Sequence, residues 1–211
     1  MRHSVCALAS VLALCAAAGL LAQPRTPAEV AARNENASAA TYRYRTAIAG
    51  LLQLKPGMVA AEIGPGSAFV ARTMASQVAP NGRVIAATLD REMAAYVAER
   101  AKSEGIQNLS TLVVQSDGAG LEAASLDAVA IVGAFGSLTA RREMLQSVAA
   151  ALKPGGALVI VDLPAESVGS KTVGIDADDV VQLASGAGLK REDESTIVPG
   201  HYAIRFRKPT A

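Results

Sequence analysis

The stretch AAEIGPGSAFVA, residues 60–71, places two glycines two positions apart at the end of an apolar run. The run from Met58 to Ile63 is apolar apart from one glutamate, which predicts a strand buried on both faces, and Ser67–Val78 reads as a helix. A strand that turns tightly into a helix presents free backbone amides and the positive end of the helix dipole. Because Gly64 and Gly66 would let a ligand approach the backbone closely, the stretch predicts a ligand-binding turn.

The rest of the chain alternates predicted strands with predicted helices. The last two strands are separated only by Pro199-Gly200-His201, which predicts an antiparallel pair, since a parallel pair needs a crossover of about a dozen residues. The expected fold class is α/β, with a doubly wound, mostly parallel seven-stranded sheet that ends in an antiparallel hairpin. The predicted strands are Met58–Ile63, Arg83–Leu89, Leu109–Val114, Leu126–Val132, Ala157–Leu163, Glu194–Val198 and Tyr202–Arg207.

The composition limits the function classes. The 211 residues suffice for one ordinary domain, and with 51% apolar but only 3% aromatic residues the core is expected to consist of Ala, Val, Leu and Ile. Such a core offers no aromatic platform on which bases could stack. The formal net charge is +1 and falls to zero without Arg2, so the basic surface that nucleic-acid binding requires is not expected.

The first residues have the character of a targeting segment. A positive start is followed by an uncharged apolar run, Val5–Ala22, and a polar break, which predicts a signal peptide over residues 1–22 and a periplasmic or secreted protein without stable membrane contact. An uncleaved N-terminal anchor is the alternative, because the run just reaches a bilayer-spanning length. Both cysteines, Cys6 and Cys15, lie in this segment, so the mature chain is expected to lack disulfides and thiolate metal sites.

Residues 23–45 are predicted to form an N-terminal helical or linker segment ahead of a domain that spans residues 46–211. Thr26-Pro27-Ala28-Glu29 is typical of a helix start. The basic and aromatic stretch Tyr42–Arg45 has two interpretations, a solvated helix face or a lid that covers a ligand.

The turn at residues 64–68 does not match the common phosphate-binding motifs. The dinucleotide motif G-x-G-x-x-G would need a third glycine at position 69, where the chain has Phe69, and the Gly-Lys-Ser/Thr ending of a P-loop is absent from the sequence. A nicotinamide-dependent oxidoreductase is therefore disfavoured.

The residues resemble those of the class I S-adenosylmethionine-dependent methyltransferases, in particular a small bacterial type with an export signal. That family's first motif is acidic-x-Gly-x-Gly-x-Gly, and Glu62–Ala68 matches it at all but the last position. The resemblance continues through Leu152-Lys153-Pro154-Gly155-Gly156, which is expected to form a turn before a strand, to the final hairpin. It implies a Rossmann-like methyltransferase fold with S-adenosyl-L-methionine as the cofactor.

The resemblance also implies a cofactor site. Gly64 and Gly66 would pack under the methionine part of the cofactor, Glu62 would orient its ammonium group, and Asp117 would accept a hydrogen bond from the adenine amino group. Residues 133–135 would line the place of methyl transfer. Structural alternatives are an ordinary strand-end carboxylate for Glu62 and a turn cap for Asp117. The implied cofactor-binding residues are Glu62, Gly64, Pro65, Gly66, Ser67, Thr88, Leu89, Asp117, Gly118 and Gly133.

Four residues at three places in the chain depart from the family pattern. Thr88 stands where an acidic residue is expected to bind the ribose hydroxyls, and Asp90, two residues on, is expected to cap a helix instead. Ala68 replaces the third glycine, a mild change if its backbone is helical. Gly136 and Ser137 follow the fourth strand, where polar or histidine residues often lie near the substrate.

The predicted function is S-adenosylmethionine-dependent methyl transfer to an unidentified small molecule. Because such transfer relies on in-line positioning and needs a base only for a protonated acceptor, no catalytic residue is assigned, and His201 is expected in a surface turn. No metal site is expected, since the acidic residues of 176–179 read as a helix start. The alternative is an exported, non-catalytic binding or interaction module, which Thr88 and the export signal favour.

Overall fold

The computed structural model describes residues 25–168 and 171–210. The predicted signal segment, residues 1–22, lies outside the described residues. Within the described ranges, no helix is both long and apolar enough to cross a bilayer.

Helices and strands alternate from residue 45 onward. The helices are α1 Pro27–Asn34, α2 Ala40–Arg43, α3 Arg45–Leu51, α4 Phe69–Val78, α5 Arg91–Ser103, α6 Arg141–Ala151 and α7 Ala177–Gly186, with a 3-10 turn at Phe135–Ser137. The strands are β1 Val59–Ile63, β2 Arg83–Thr88, β3 Leu109–Val113, β4 Leu126–Val132, β5 Leu152–Asp162, β6 Glu166–Val168, β7 Lys171–Val173, β8 Lys190–Ser195 and β9 Tyr202–Arg207.

The main sheet has seven strands in the order β3-β2-β1-β4-β5-β9-β8. Neighbours among β1 to β5 are parallel, whereas β9 is antiparallel to both β5 and β8. This confirms the predicted fold class. The strand order reverses between β1 and β4, and the carboxyl edge of an α/β sheet at such a switch point is where ligands bind. A small hairpin, β6-β7, was not predicted.

Two apolar clusters cover the two faces of the sheet. Ala61 and Ile63 of β1 belong to one cluster, while Ala60 packs into the other beside Val70 and Met74 of α4. The small alanines let the helices lie close to the strands. The core therefore holds the end of β1 and the start of α4 in a fixed relation.

Two element boundaries differ from the prediction because hydrophobic patterning carries no signal there. Strand β8 covers Lys190–Ser195, not Glu194–Val198, and its exposed charged residues join the sheet by backbone pairing with β9 at the edge. The stretch Lys153–Gly156, expected to be a turn, forms the irregular start of β5.

Helix α1 is fastened to the body of the domain. Thr26 caps it in a capping box with Glu29, as its sequence predicts. At its other end, Glu35 lies 2.7 Å from the guanidinium groups of both Arg72 in α4 and Arg100 in α5. Glu104 pairs with the same two arginines, at 2.7 and 2.9 Å. The segment before residue 46 is thus packed onto the domain.

The stretch Tyr42–Arg45 also packs inward. The ring of Tyr42 meets Phe69 edge-on at a centroid distance of 5.5 Å, and the guanidinium of Arg45 lies 4.4 Å from the centre of the Tyr42 ring. Tyr44 packs against the apolar cluster that contains Phe69. Within Tyr42–Arg45, Arg43 is the one residue that is exposed. The solvated-face interpretation therefore fits Arg43 alone.

Replacing Glu35 with glutamine should loosen α1. Because the Glu35 side chain is only 11% exposed and holds two arginines, we expect the free energy of unfolding to fall by about 1 kcal/mol. Urea unfolding at two salt concentrations measures the change. Glu99→Gln, an exposed carboxylate on α5, is the control and should stay within about 0.5 kcal/mol. Equal effects of the two variants would contradict the anchoring role.

Candidate functional site

A cavity of about 520 Å³ opens at the carboxyl ends of β1, β2 and β4. Its volume lies in the range of sites for small organic ligands. Helix α1 and the residues around 39–41 form its roof. Its wall includes Val30, Arg33, Asn34, Ala39, Thr41, Glu62, Gly64, Pro65, Gly66, Thr88, Leu89, Asp90, Val114, Gly133, Ala134, Ser137, Leu138 and Met144.

The turn between β1 and α4 forms the floor of the cavity. Gly64 and Gly66 have φ values of 66° and 50°, a left-handed conformation that favours glycine. A Cβ on Gly64 would lie 2.8 Å from the Cβ of Ala134, and one on Gly66 would lie 2.4 Å from Nδ2 of Asn34. Backbone conformation therefore favours glycine at both positions, and close packing against Ala134 adds a second reason at Gly64.

Ala68 ends this turn in a strained conformation. Its φ of 58° and ψ of 32° are left-handed, so the condition under which the change would be mild, a helical backbone, is not met. An alanine in this region costs about 1 kcal/mol or more. This strain explains why α4 begins at Phe69 and not at Ser67, since three left-handed residues precede the helix.

Glu62 lies beneath the turn and is almost completely buried, with 1% of its surface exposed. Its Oε2 accepts a hydrogen bond of 2.8 Å from the backbone N–H of Ala71, a free amide in the first turn of α4. Burial raises the pKa of Glu62 to about 8, although the Ala71 amide and Arg72 oppose the shift. The carboxylate thus supports the helix and also forms part of the cavity wall.

The end of β2 contributes three wall residues. Thr88 is 7% exposed, and its Oγ1 accepts a hydrogen bond of 3.1 Å from the backbone N–H of Asp90. Oδ1 of Asp90 accepts from the N–H groups of Glu92 at 2.8 Å and Met93 at 3.1 Å, which makes it the helix cap expected from sequence. Its Oδ2 makes no hydrogen bond to the described chain. Leu89 between them is 51% exposed.

Three of the residues implied by the resemblance lie away from the cavity wall. Asp117 is exposed in a turn closed by a bond of 3.4 Å from the N–H of Gly118 to the carbonyl of Gln115. Asp117 and Gly118 thus lie in this turn outside the cavity wall, and Val114 reaches the cavity from this side. Ser67 is fully buried, and within the described chain its hydroxyl has no hydrogen-bond partner.

The residues after β4 form the remaining side of the cavity. Gly133 lies in the wall, as do Ala134 and Ser137. A Cβ on Gly136 would lie 2.9 Å from the backbone carbonyl carbon of Gly174, so no larger residue fits there. This packing accounts for the glycine at a position where related sequences often carry polar side chains.

Sequence reasoning missed the contribution of α1. Val30, Arg33 and Asn34 line the cavity, yet their segment resembles any amphipathic surface helix, and only tertiary packing brings it over the glycine turn. His201 lies outside the wall, where its Nδ1 is 2.9 Å from the carbonyl oxygen of Pro199 in the hairpin turn. No cluster of metal-ligating side chains occurs among the residues that the structure describes.

The sheet order and the glycine turn above a buried carboxyl group are those of a Rossmann-like methyltransferase fold. Residues 60–156 match the family model of a methyltransferase domain. No curated protein matches the sequence.

Solved structures of similar fold have low sequence identity. A SAM-dependent methyltransferase from Aquifex aeolicus has a TM-score of 0.77 at 18% identity, with 88% of this chain and 100% of that chain covered. Phosphoethanolamine N-methyltransferase 2 from Haemonchus contortus, solved with phosphomonomethylethanolamine and S-adenosylhomocysteine, has a TM-score of 0.67 at 16% identity, covering 88% and 61%. The cyclase SpnF has a TM-score of 0.70 at 16% identity, covering 82% of each chain.

Glu62→Gln should make the protein more stable at alkaline pH. Folding raises the pKa of Glu62 from 4.5 to about 8, so between these two pH values the folded state binds more protons than the unfolded state. The stability that Glu62 contributes is therefore lost as the pH rises through this range. Glutamine still accepts the Ala71 hydrogen bond but does not titrate. We expect the variant to gain on the order of 1 to 3 kcal/mol relative to wild type between about pH 5 and pH 8.

Urea unfolding of ligand-free protein across this pH range measures the difference. Glu122→Gln removes a carboxylate from the surface and is the control. A difference between Glu62→Gln and wild type that does not change with pH would show that Glu62 is not protonated in the folded protein.

Proposed function

We propose that this protein transfers a methyl group from S-adenosylmethionine to a small, largely apolar acceptor within the 520 Å³ cavity. The observation that carries the proposal is the continuity of the wall. It runs from Glu62 beneath the glycine turn to Thr88 and Leu89 on one side and to Ser137 and Leu138 on the other. One cavity therefore has room for a cofactor and for a second molecule next to it.

The residues present fit the cofactor. Positions 64 and 66, where a Cβ would clash, form a glycine cradle, and the nearly buried carboxylate of Glu62 lies beneath it as a counter-charge for an ammonium group. Leu89 and Val114 supply apolar surface for a flat ring. When bound, S-adenosylmethionine supplies an electrophilic methyl carbon on a sulfonium.

The side chains of the wall bind and orient in this proposal. The Oδ2 of Asp90 is available for a ribose hydroxyl, while Oδ1 continues to cap α5. Arg33, exposed on α1, supplies a positive charge for a carboxylate of either ligand. Helix α1 covers the cavity and keeps water away from the ligands. This favours the in-line positioning of methyl donor and acceptor.

The part of the cavity proposed to hold the methyl acceptor supports a reaction without a protein base. Val30, Ala39, Leu138 and Met144 make it apolar. The hydroxyl of Ser137 donates a hydrogen bond of 2.7 Å to the Ala134 carbonyl. An acceptor that already carries a free lone pair needs no proton removal, so apolar surface and correct alignment suffice.

We infer that the mature protein works outside the cytoplasm, on the basis of the signal-like residues 1–22. This location favours a second function, a non-catalytic binding module that retains the fold. Thr88 also favours it, since its only side-chain oxygen already accepts from Asp90. The cyclase SpnF illustrates that proteins of this fold carry more than one named activity.

Calorimetric titration with S-adenosylmethionine and S-adenosylhomocysteine separates the two functions. The methyltransferase proposal predicts dissociation constants in the micromolar range, roughly −8 kcal/mol. No heat and no thermal shift at about 1 mM ligand would reject it and favour the module.

Thr88→Asp should tighten cofactor binding. A carboxylate at this position can accept a charge-assisted bond from a ribose hydroxyl, which we expect to lower the dissociation constant by about 5-fold to 30-fold, or about 1 to 2 kcal/mol. Thr88→Asn is the matched control, since it adds a similar shape without charge. Unchanged affinity of the aspartate variant would show that residue 88 does not face the ribose.

Asp90→Asn should weaken cofactor binding without unfolding α5. Asparagine caps helices as well as aspartate does, so the melting temperature should stay nearly constant. Loss of the charged Oδ2 should raise the dissociation constant by about 10-fold, or about 1.4 kcal/mol. A change in melting temperature without a change in affinity would assign Asp90 to capping alone.

A further inference from the structure

A second cavity, of about 220 Å³, lies at the opposite edge of the sheet. Met58 precedes β1, Asp127 is the second residue of β4, and Arg207 ends the antiparallel β9, so all three mark the amino ends of the parallel strands. The methyltransferase cavity lies at the carboxyl ends. The two cavities therefore share no wall residue and are separated by the length of the strands.

Positive side chains dominate the second cavity. Its wall contains Lys55, Lys153, Arg205 and Arg207, against the single carboxylate of Asp127. That carboxylate is already engaged, since Oδ1 lies 2.8 Å from Nζ of Lys153 and Oδ2 accepts a hydrogen bond of 2.8 Å from the N–H of Val59.

Glu192 of β8 lies outside the wall and pairs with the two arginines. Its Oε2 is 2.9 Å from Nη2 of Arg207, and the same oxygen lies 3.0 Å from Nε of Arg205. With Asp193, which lies opposite Arg205 on β8, three carboxylates thus face four cationic groups, and the cavity keeps a net positive charge.

Arg205 is the unusual member of this group. It is only 8% exposed, and its buried Nε has no hydrogen-bond partner among the described residues, because the contact with Glu192 has the distance but not the angle of a hydrogen bond. The pKa of Arg205 is lowered from its ordinary value, chiefly because burial disfavours the charged form. A buried N–H group without a hydrogen bond is costly, so this arginine favours an additional acceptor from outside the chain.

We propose that this cavity binds a phosphate group, as inorganic phosphate or as a small phosphate monoester. Guanidinium groups match the oxygens of a phosphate in pairs, and lysine adds a mobile positive charge. The volume equals that of roughly seven water molecules in the liquid, which leaves room for one phosphate and a short organic group. The bound anion supplies Arg205 with an acceptor in addition to its ion-pair contact with Glu192.

The competing explanation is a purely structural ion cluster of Arg205, Glu192 and Arg207 that holds β8 to β9. That cluster would need Arg205 for stability, whereas an anion site needs it for binding. Arg205→Met separates the two. The anion site predicts a ligand-free melting temperature equal to or above that of wild type, because a buried, poorly bonded charge is removed.

The test is calorimetric titration of the full-length protein with inorganic phosphate at constant ionic strength, since phosphate also stabilises proteins without binding to a site. Wild type should bind saturably with a dissociation constant below about 1 mM. Arg205→Met and Lys55→Met, the latter a change at an exposed residue, should each weaken binding, the first by at least about tenfold. Arg83→Met, an exposed arginine at the same sheet edge, is the charge-matched control and should bind as wild type does.

Titration with glycerol phosphate assigns the source of the phosphate. Tighter binding than that of inorganic phosphate indicates a monoester, and equal or weaker binding indicates the free anion. The proposal is overturned if phosphate fails to saturate wild type by about 20 mM, if Arg205→Met binds as wild type does, or if Arg83→Met loses as much affinity as Arg205→Met.

Discussion

The turn from β1 into α4 is the constraint on which the rest of the structure depends. Three left-handed positions, at every second residue from Gly64 to Ala68, bring the chain over the carboxyl group of Glu62. The side chain of Ala68, the N-cap residue, makes no hydrogen bond to the start of α4. Instead, the carboxyl group of Glu62 beneath the turn accepts a hydrogen bond from the Ala71 amide. A buried carboxyl group and a helix start therefore stabilise each other, and the same arrangement places an ionisable group in the cavity wall.

The strands and the turn could be predicted because they follow from local patterns: an apolar run, glycines at two fixed positions and a short final hairpin. The prediction failed where the information is not local. The charged strand β8 forms only because β9 offers backbone partners, and α1 joins the cavity because Glu35 pairs with distant arginines. Asp117 matches a family motif in sequence and lies in an exposed turn outside the cavity wall, so its contact with adenine stays a prediction.

Each of the two edges of the sheet has a buried ionisable side chain, acidic at one edge and basic at the other. At the carboxyl edge, the carboxyl group of Glu62 is buried, and burial raises its pKa although Arg72 opposes the shift. At the amino edge, the guanidinium of Arg205 is buried, and its Nε has an ion-pair contact with Glu192 but no hydrogen bond within the described chain. Each burial is costly in an isolated chain, and a ligand of the opposite charge offsets the cost. In this account, a sulfonium amino acid nucleoside binds at the first edge and a phosphate group at the second.

The central claim is that Glu62 becomes the counter-charge of the cofactor's ammonium group. The most direct measurement is the number of protons released when S-adenosylhomocysteine binds near pH 7, obtained by calorimetry in buffers of different ionisation enthalpy. The account predicts release of close to one proton by wild type and of none by Glu62→Gln, because the neutral carboxyl must ionise as the ligand binds. Binding without proton release in wild type would contradict it.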